Sequence, residues 1–191
     1  MDKWLGGVGD CGVEYKTSGR KWANLAIGET PDQTVSDLGQ ITFGLTIMLI
    51  GEYTHSLDSK KRVALPAKFR KELGKQIVIT RGLDKCLWLY PIREWHKVAE
   101  KLAGLSMGQS DTRGFSRFML AGAVETDVDG TGRILVPDFL REFAGLGTQL
   151  VLAGVHSRVE IWDERVWKQY KNAVAKEADK LAEKLGEIGA I

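Results

Sequence analysis

The sequence is poor in the residues that most often announce chemistry, holding two cysteines, three histidines and four prolines among 191 residues. Cys11 and Cys86 lie far apart and fit neither a metal-ligand nor a redox spacing. Cys86 sits in an apolar run (Cys86, Leu87, Trp88, Leu89, Tyr90) and is expected to act as a small core residue. His55, His96 and His156 form no pair with metal-ligand spacing, and there is no His-Glu-x-x-His, Gly-x-Ser-x-Gly or phosphate loop. No apolar stretch reaches the about 18 residues that a membrane helix needs. Residues 1–20 lack the apolar segment of a signal peptide. These absences leave an ordinary cytoplasmic chain, with no cofactor, metal, membrane or small-molecule substrate expected and no catalytic role assigned. The net charge of +2 is too small to point to a nucleic acid by itself, so any such reading depends on where the charge sits.

It sits unevenly. Before Met48 there are four basic residues (Lys3, Lys16, Arg20, Lys21) against six acidic ones, so the rest of the chain is more basic than the total suggests. Residues 1–47 are also rich in Gly, Thr and Ser and have no sustained apolar periodicity. Dense patterning starts abruptly at Met48. The expectation is a poorly structured extension over 1–47, with Met48 as the true start of translation and a flexible arm as the alternative.

Beyond Met48 the chain repeats itself. Asp58, Arg62, Pro66 and Arg70 recur as Asp129, Arg133, Pro137 and Arg141; after a one-residue insertion Gly82, Tyr90 and Trp95 recur as Gly154, Trp162 and Trp167. The repeats span 52–95 and 123–167. Each reads as a strand, a polar Asp-x-x-x-Arg turn, and an apolar strand (Val63–Leu65; Ile134–Val136). A proline then opens a short helix (Ala67–Leu73; Asp138–Ala144) that stops at Gly74 or Gly145. A buried strand (Gln76–Thr80; Gln149–Ala153), a turn around Gly82 or Gly154, and a last strand (Cys86–Tyr90; Arg158–Trp162) complete the unit. So small a unit cannot hide its apolar faces alone, and two copies are expected to pack as a pseudodimer in a β-rich α+β fold. Ile92–Leu105 and Ser110–Ala121 read as helices, with Trp95, Val98, Leu102 and Leu105 on one face. Glu164–Leu185 reads as a long amphipathic helix with Trp167, Tyr170, Val174, Ala178, Leu181 and Leu185 in one stripe. The stripe is expected to pack on the domain, with packing between subunits as the sharper alternative. The organisation is then an extension (1–47), a first module (48–96), a helical connector (97–122), a second module (123–167) and a C-terminal helix and tail (168–191).

Chemistry concentrates in the two turns. Lys60, Lys61 and Arg62 place three positive charges on one projecting turn, a density suited to neutralising phosphates, and arginine can also fork onto a guanine edge. Asp58 at the head of the turn can cap backbone N–H groups or pair with Arg62. Arg133 recurs at the equivalent point behind Asp129, on a turn (Gly130, Thr131, Gly132) with less charge. Lys68, Arg70, Lys71, Arg81 and Arg141 read mostly as solvated helix faces. A catalytic carboxylate pair needs two different environments for its members, and symmetric copies argue against that for Asp58 and Asp129.

The run Gly51-Glu52-Tyr53-Thr54-His55-Ser56-Leu57-Asp58, the two Asp-x-x-x-Arg turns, Thr80-Arg81-Gly82-Leu83-Asp84 and Leu120-Ala121-Gly122-Ala123 together resemble the MraZ family of bacterial transcriptional regulators over residues 48–172. The resemblance implies tandem AbrB-like swapped-hairpin modules and assembly into a homo-oligomeric ring. It also implies repression of the division and cell-wall gene cluster through repeated promoter boxes on double-stranded DNA, with nucleoid association. It places the DNA contacts on Asp58, Arg62, Asp129 and Arg133, to which the charge reading adds Lys60 and Lys61. Lys61 departs from the family, which commonly has glycine there; if the position needs a positive φ, lysine is strained. The rival readings are a ring scaffold or partner-binding module that uses the turns for protein contacts, and an enzyme acting on a nucleotide or cell-wall precursor.

Overall fold

The computed structural model describes residues 48–190, so the extension over 1–47, Cys11 within it, and Ile191 lie outside the described residues. The order is β1 (Leu49–Ser56), β2 (Arg62–Ala64), α1 (Ala67–Leu73), β3 (Gln76–Arg81), β4 (Leu87–Pro91), α2 (Ile92–Ala103) and α3 (Ser110–Leu120). Then follow β5 (Val124–Asp127), β6 (Arg133–Leu135), α4 (Asp138–Phe143), β7 (Gln149–His156), β8 (Arg158–Asp163) and α5 (Glu164–Glu187).

The two repeats exchange strands. The antiparallel sheet runs β1-β7-β8-β4-β3-β5, so the first strand of each repeat pairs with a strand of the other. The order reads the same from either end once equivalent strands are swapped, as a pseudo-two-fold demands. Two strand pairs mark the axis. Val63 faces its counterpart Ile134 in the β2–β6 ribbon, and Trp88 faces Glu160 in the β4–β8 pair. The bonds flanking the ribbon obey the same symmetry: Leu65 N–H donates to Gly132 O at 2.9 Å, and Val136 N–H to Lys61 O at 3.0 Å.

Between sheet and ribbon lies one core. Val63, Phe69, Ile77, Ile79 and Leu87 of the first repeat pack with Ile134, Leu140, Leu150, Leu152 and Ile161 of the second, all buried. Val63 and Ile134, with no exposed surface, seal it where the turns begin. Neither repeat could close this core alone, because each lacks the strand that the other supplies.

Several expectations need correcting. Pro66 and Pro137 precede their helices instead of opening them: each is extended (ψ 141° and 144°), and its carbonyl accepts the first helical N–H bond. Gly154 is not a turn residue but lies inside β7, opposite Gly51 of β1. Gln149 faces Ser56 as Gln76 faces Asp127, so β7 continues through the point where β3 has already ended before Gly82. His156 does lie in a turn, as expected: it ends β7 with φ +59° and, with Ser157, connects the paired residues Val155 and Arg158. In α2 Leu102 is buried, but Leu105 lies beyond the helix and is exposed. The α5 stripe packs only at its base, where Trp167 and Tyr170 lie 5.3 and 5.0 Å from Trp162 between ring centroids. Val174, Leu181 and Leu185 are 38–42% exposed. A 24-residue helix runs about 36 Å and simply outlasts the face on which it starts.

The close approach of β1 to β7 depends on Gly154. A Cβ there would stand 2.7 Å from the amide nitrogen of Ile50 and from the carbonyl carbon of Leu49. Gly154→Ala is therefore expected to cost on the order of 1–3 kcal/mol by forcing the swapped strand outward. A urea denaturation midpoint unchanged from the parent chain would show that β1 is held by something else.

Candidate functional site

Each Asp-x-x-x-Arg segment folds as an aspartate-headed turn. In the first, Asp58 Oδ1 accepts the backbone N–H groups of Lys60 (2.8 Å) and Arg62 (2.9 Å). The backbone closes the loop, with Asp58 N–H donating to Arg62 O and Lys61 N–H donating to Asp58 O. In the second, Asp129 Oδ1 accepts Thr131 N–H, the Thr131 hydroxyl and Arg133 N–H. The other carboxylate oxygen of each turn takes the arginine: Arg62 Nε to Asp58 Oδ2 and Arg133 Nε to Asp129 Oδ2, both at 2.9 Å. One residue type thus satisfies loop amides and orients a guanidinium at once.

The ribbon then brings the two turns together. Arg62 Nη1 lies 3.7 Å from Asp129 Oδ2, and Arg133 Nη1 lies 3.9 Å from Asp58 Oδ2. Two Asp–Arg pairs far apart in sequence become one alternating ring of charge on the axis, about a third exposed. Both carboxyls sit below the ordinary aspartate range. The largest cause is the Arg62 backbone N–H for Asp58 and the Thr131 hydroxyl for Asp129. Two carboxylates that are both held in the ionised form do not divide into an acid and a base.

Lys60 and Lys61 flank this ring on the first turn only. Lys61 has φ +60°, and its counterpart Gly132 has φ +81°, so the position does require left-handed backbone and lysine is strained in it. The Lys61 ammonium is not free: it lies 2.7 Å from Asp138 Oδ1. Asp138 is a residue that sequence reading passed over, although it stands where the first repeat has Ala67.

Three arginines read as solvated helix faces are engaged instead. Arg70 Nη1 donates to Thr131 O at 3.3 Å, bracing the second turn from α1. Arg141 bonds Asp138. Arg81 stacks among the rings of Phe118, Phe139 and Phe143, at 5.7, 6.0 and 5.7 Å. The recurrence of Arg70 as Arg141 was the signal for two of them. Cys86 is buried as expected, and burial pushes its thiol up to about 12. Among the described residues no three His, Cys, Asp or Glu side chains converge as a metal site would require. No helix there is long and apolar enough to cross a membrane.

Exchanged strands, a two-fold ribbon and paired aspartate-headed turns define a tandem swapped-hairpin protein with AbrB-like modules. The comparisons make the class specific. Residues 48–118 and again 119–187 match the family described as "MraZ protein, putative antitoxin-like". The "Transcriptional regulator MraZ" of Caldanaerobacter subterraneus subsp. tengcongensis is 49% identical over 138 residues, 72% of this chain and 96% of that protein. The protein of the same name from a Thermoanaerobacter species is 46% identical over 141 residues, 74% of this chain and 99% of that one. That of Acetivibrio thermocellus is 45% identical over 142 residues, with the same coverage. The chain belongs to the MraZ family.

Two outcomes test the turn geometry. Lys61→Gly should relieve the left-handed strain and raise stability by about 0.5–1 kcal/mol, since exposed ion pairs such as Lys61–Asp138 contribute little; a lower thermal midpoint would contradict it. The depressed pKa values of Asp58 and Asp129 carry a sign. Their contribution to stability is present above the unfolded value of about 4 and is lost as pH falls through the folded values. The double variant Asp58→Asn, Asp129→Asn should lose stability less steeply below about pH 4 than the parent. Parallel pH–stability curves would remove the turns as the cause.

Proposed function

We propose that the chain is a transcriptional regulator that binds double-stranded promoter DNA through the paired turns. The observation that carries this reading is the placement of Arg62 and Arg133 side by side on the axis, each aimed by its own aspartate, with Lys60 and Lys61 beside them. Guanidiniums fixed this way are ready to fork onto base edges, while Lys60 on the rim meets phosphates. Asp58 and Asp129 shape the turns and make no contact that requires them to move.

The finer reading follows the family resemblance. The protein is a cytoplasmic, nucleoid-associated repressor of the division and cell-wall gene cluster, acting at repeated promoter boxes. Several subunits in a homo-oligomeric ring engage several boxes, so modest contacts sum through effective concentration. The stripe of Val174, Leu181 and Leu185 on α5 supports packing between subunits, since among the described residues nothing covers it.

The test is binding of the full chain to the DNA just upstream of its own gene, titrated against salt with a scrambled duplex beside it. Arg62→Ala and Arg133→Ala should each weaken the upstream complex by about 1–3 kcal/mol and reduce the preference over scrambled DNA. Equal, weak binding to both duplexes that neither substitution changes would sink the assignment and leave the scaffold reading in its place.

A further inference from the structure

Two of the sequence differences between the halves of the site, Lys61 for Gly132 and Ala67 for Asp138, act together, and the arginine common to both halves responds to them. In the second turn Gly132 leaves open space: a Cβ there would fall on the Arg70 guanidinium, which occupies it and bonds Thr131 O. In the first turn the equivalent residue, Lys61, carries a Cβ in that same left-handed conformation. The equivalent arginine, Arg141, turns away to Asp138, its Nη2 donating to Oδ1 at 3.0 Å. Lys61 Nζ meets the same carboxylate at 2.7 Å to Oδ1 and 2.9 Å to Oδ2. Asp138 has no counterpart carboxylate, because Ala67 stands there in the first repeat. An open cleft of about 500 Å³ lies beside the first turn, with Asp58, Ser59, Lys61 and Arg141 among the residues that line it. Arg141 Nε beside it is buried without a hydrogen-bond partner.

A carboxylate that gathers one ammonium and one guanidinium stands where a DNA phosphate would otherwise stand. The Lys61 ammonium, its first partner, holds the Asp138 carboxyl below the ordinary range, so it stays ionised near neutral pH. We propose that Asp138 is a specificity-determining residue of the DNA-binding surface, withholding Lys61 and Arg141 from the phosphate backbone. This rests on the DNA-binding reading above. Phosphate contacts carry no sequence information directly. A lysine released on its flexible stem finds a phosphate in any register, so its release favours unrelated duplex most. In the promoter complex the arginines of the charge ring fix the register and limit which phosphates it reaches.

The experiment measures binding of the full chain to promoter and scrambled duplexes across salt for the parent, Asp138→Asn and Glu142→Gln. Glu142→Gln removes the same charge from an exposed position on α4 and serves as the control. For Asp138→Asn, scrambled-duplex affinity should rise about 5- to 10-fold at low salt, with a salt slope steeper by about 1–2. Promoter affinity should rise less, so discrimination falls. The gain should vanish when Lys61→Gln and Arg141→Gln are added. A response equal to that of Glu142→Gln, a gain that survives loss of both cations, or an equal gain on both duplexes would each overturn the proposal. Absence of salt-dependent binding by the parent chain would instead defeat the DNA-binding reading itself.

Discussion

The rest of the structure depends on the antiparallel pairing of β2 with β6, centred on Val63 opposite Ile134. Three residues from each repeat are a short ribbon, yet they do two things at once. On the inner side the two fully buried side chains close a core that neither repeat completes alone. On the outer side the ribbon holds the two aspartate-headed turns against each other, so that Arg62 reaches Asp129 and Arg133 reaches Asp58. The apolar patterning that stabilises the fold and the charge ring that defines the surface are therefore the two ends of one element. A substitution that separates the strands would lose both together.

Strand exchange gives the arrangement its rigidity. β1 pairs along its whole length with β7, and β5 pairs with β3, so each repeat is clamped by the other on both sides of the axis. Such non-local pairing costs loop-closure entropy before it returns anything, and the return comes from burial along the shared sheet. Two glycines make room where a side chain would not fit: Gly154 against the β1 backbone, and Gly132 beneath the Arg70 guanidinium. The turns gain from this rigidity, because a guanidinium that is already oriented loses less freedom when it meets a ligand.

The two copies differ where Lys61 stands in place of Gly132 and Asp138 in place of Ala67. These two differences meet in space, since the lysine is strained by its backbone and tied by the Asp138 carboxylate. Arg70 and Arg141 are equivalent in sequence and opposite in employment, one bracing a turn and the other sharing Asp138. Symmetry of fold does not carry over into symmetry of surface. The two turns present different numbers of positive charges from nearly identical scaffolds.

Much of this was legible without coordinates. The recurrence of Asp, Arg, Pro and Arg identified the repeat, and apolar runs between turn formers placed most strands and helices within one to three residues. Those signals are local: side-chain periodicity and turn chemistry act over a few residues, so sequence carries them openly. The family was legible too, because its motifs occur in order along the chain. What sequence could not show was partnership at a distance. Nothing in the local pattern says that β1 pairs with β7, that Gly154 lies in a strand, or that Asp58 approaches Arg133 across the axis. Lys61 read as a free charge and Arg70 as a solvated one, because their partners Asp138 and Thr131 lie in the other repeat. The α5 stripe shows the opposite limit: its periodicity was plain, but where a helix of that length runs out of surface is a property of the folded domain. By itself the sequence determined the elements, the turn chemistry and the duplication, since each is written in near neighbours. Only the tertiary structure decided which elements pair and which charges meet, since those depend on contacts between residues dozens of positions apart.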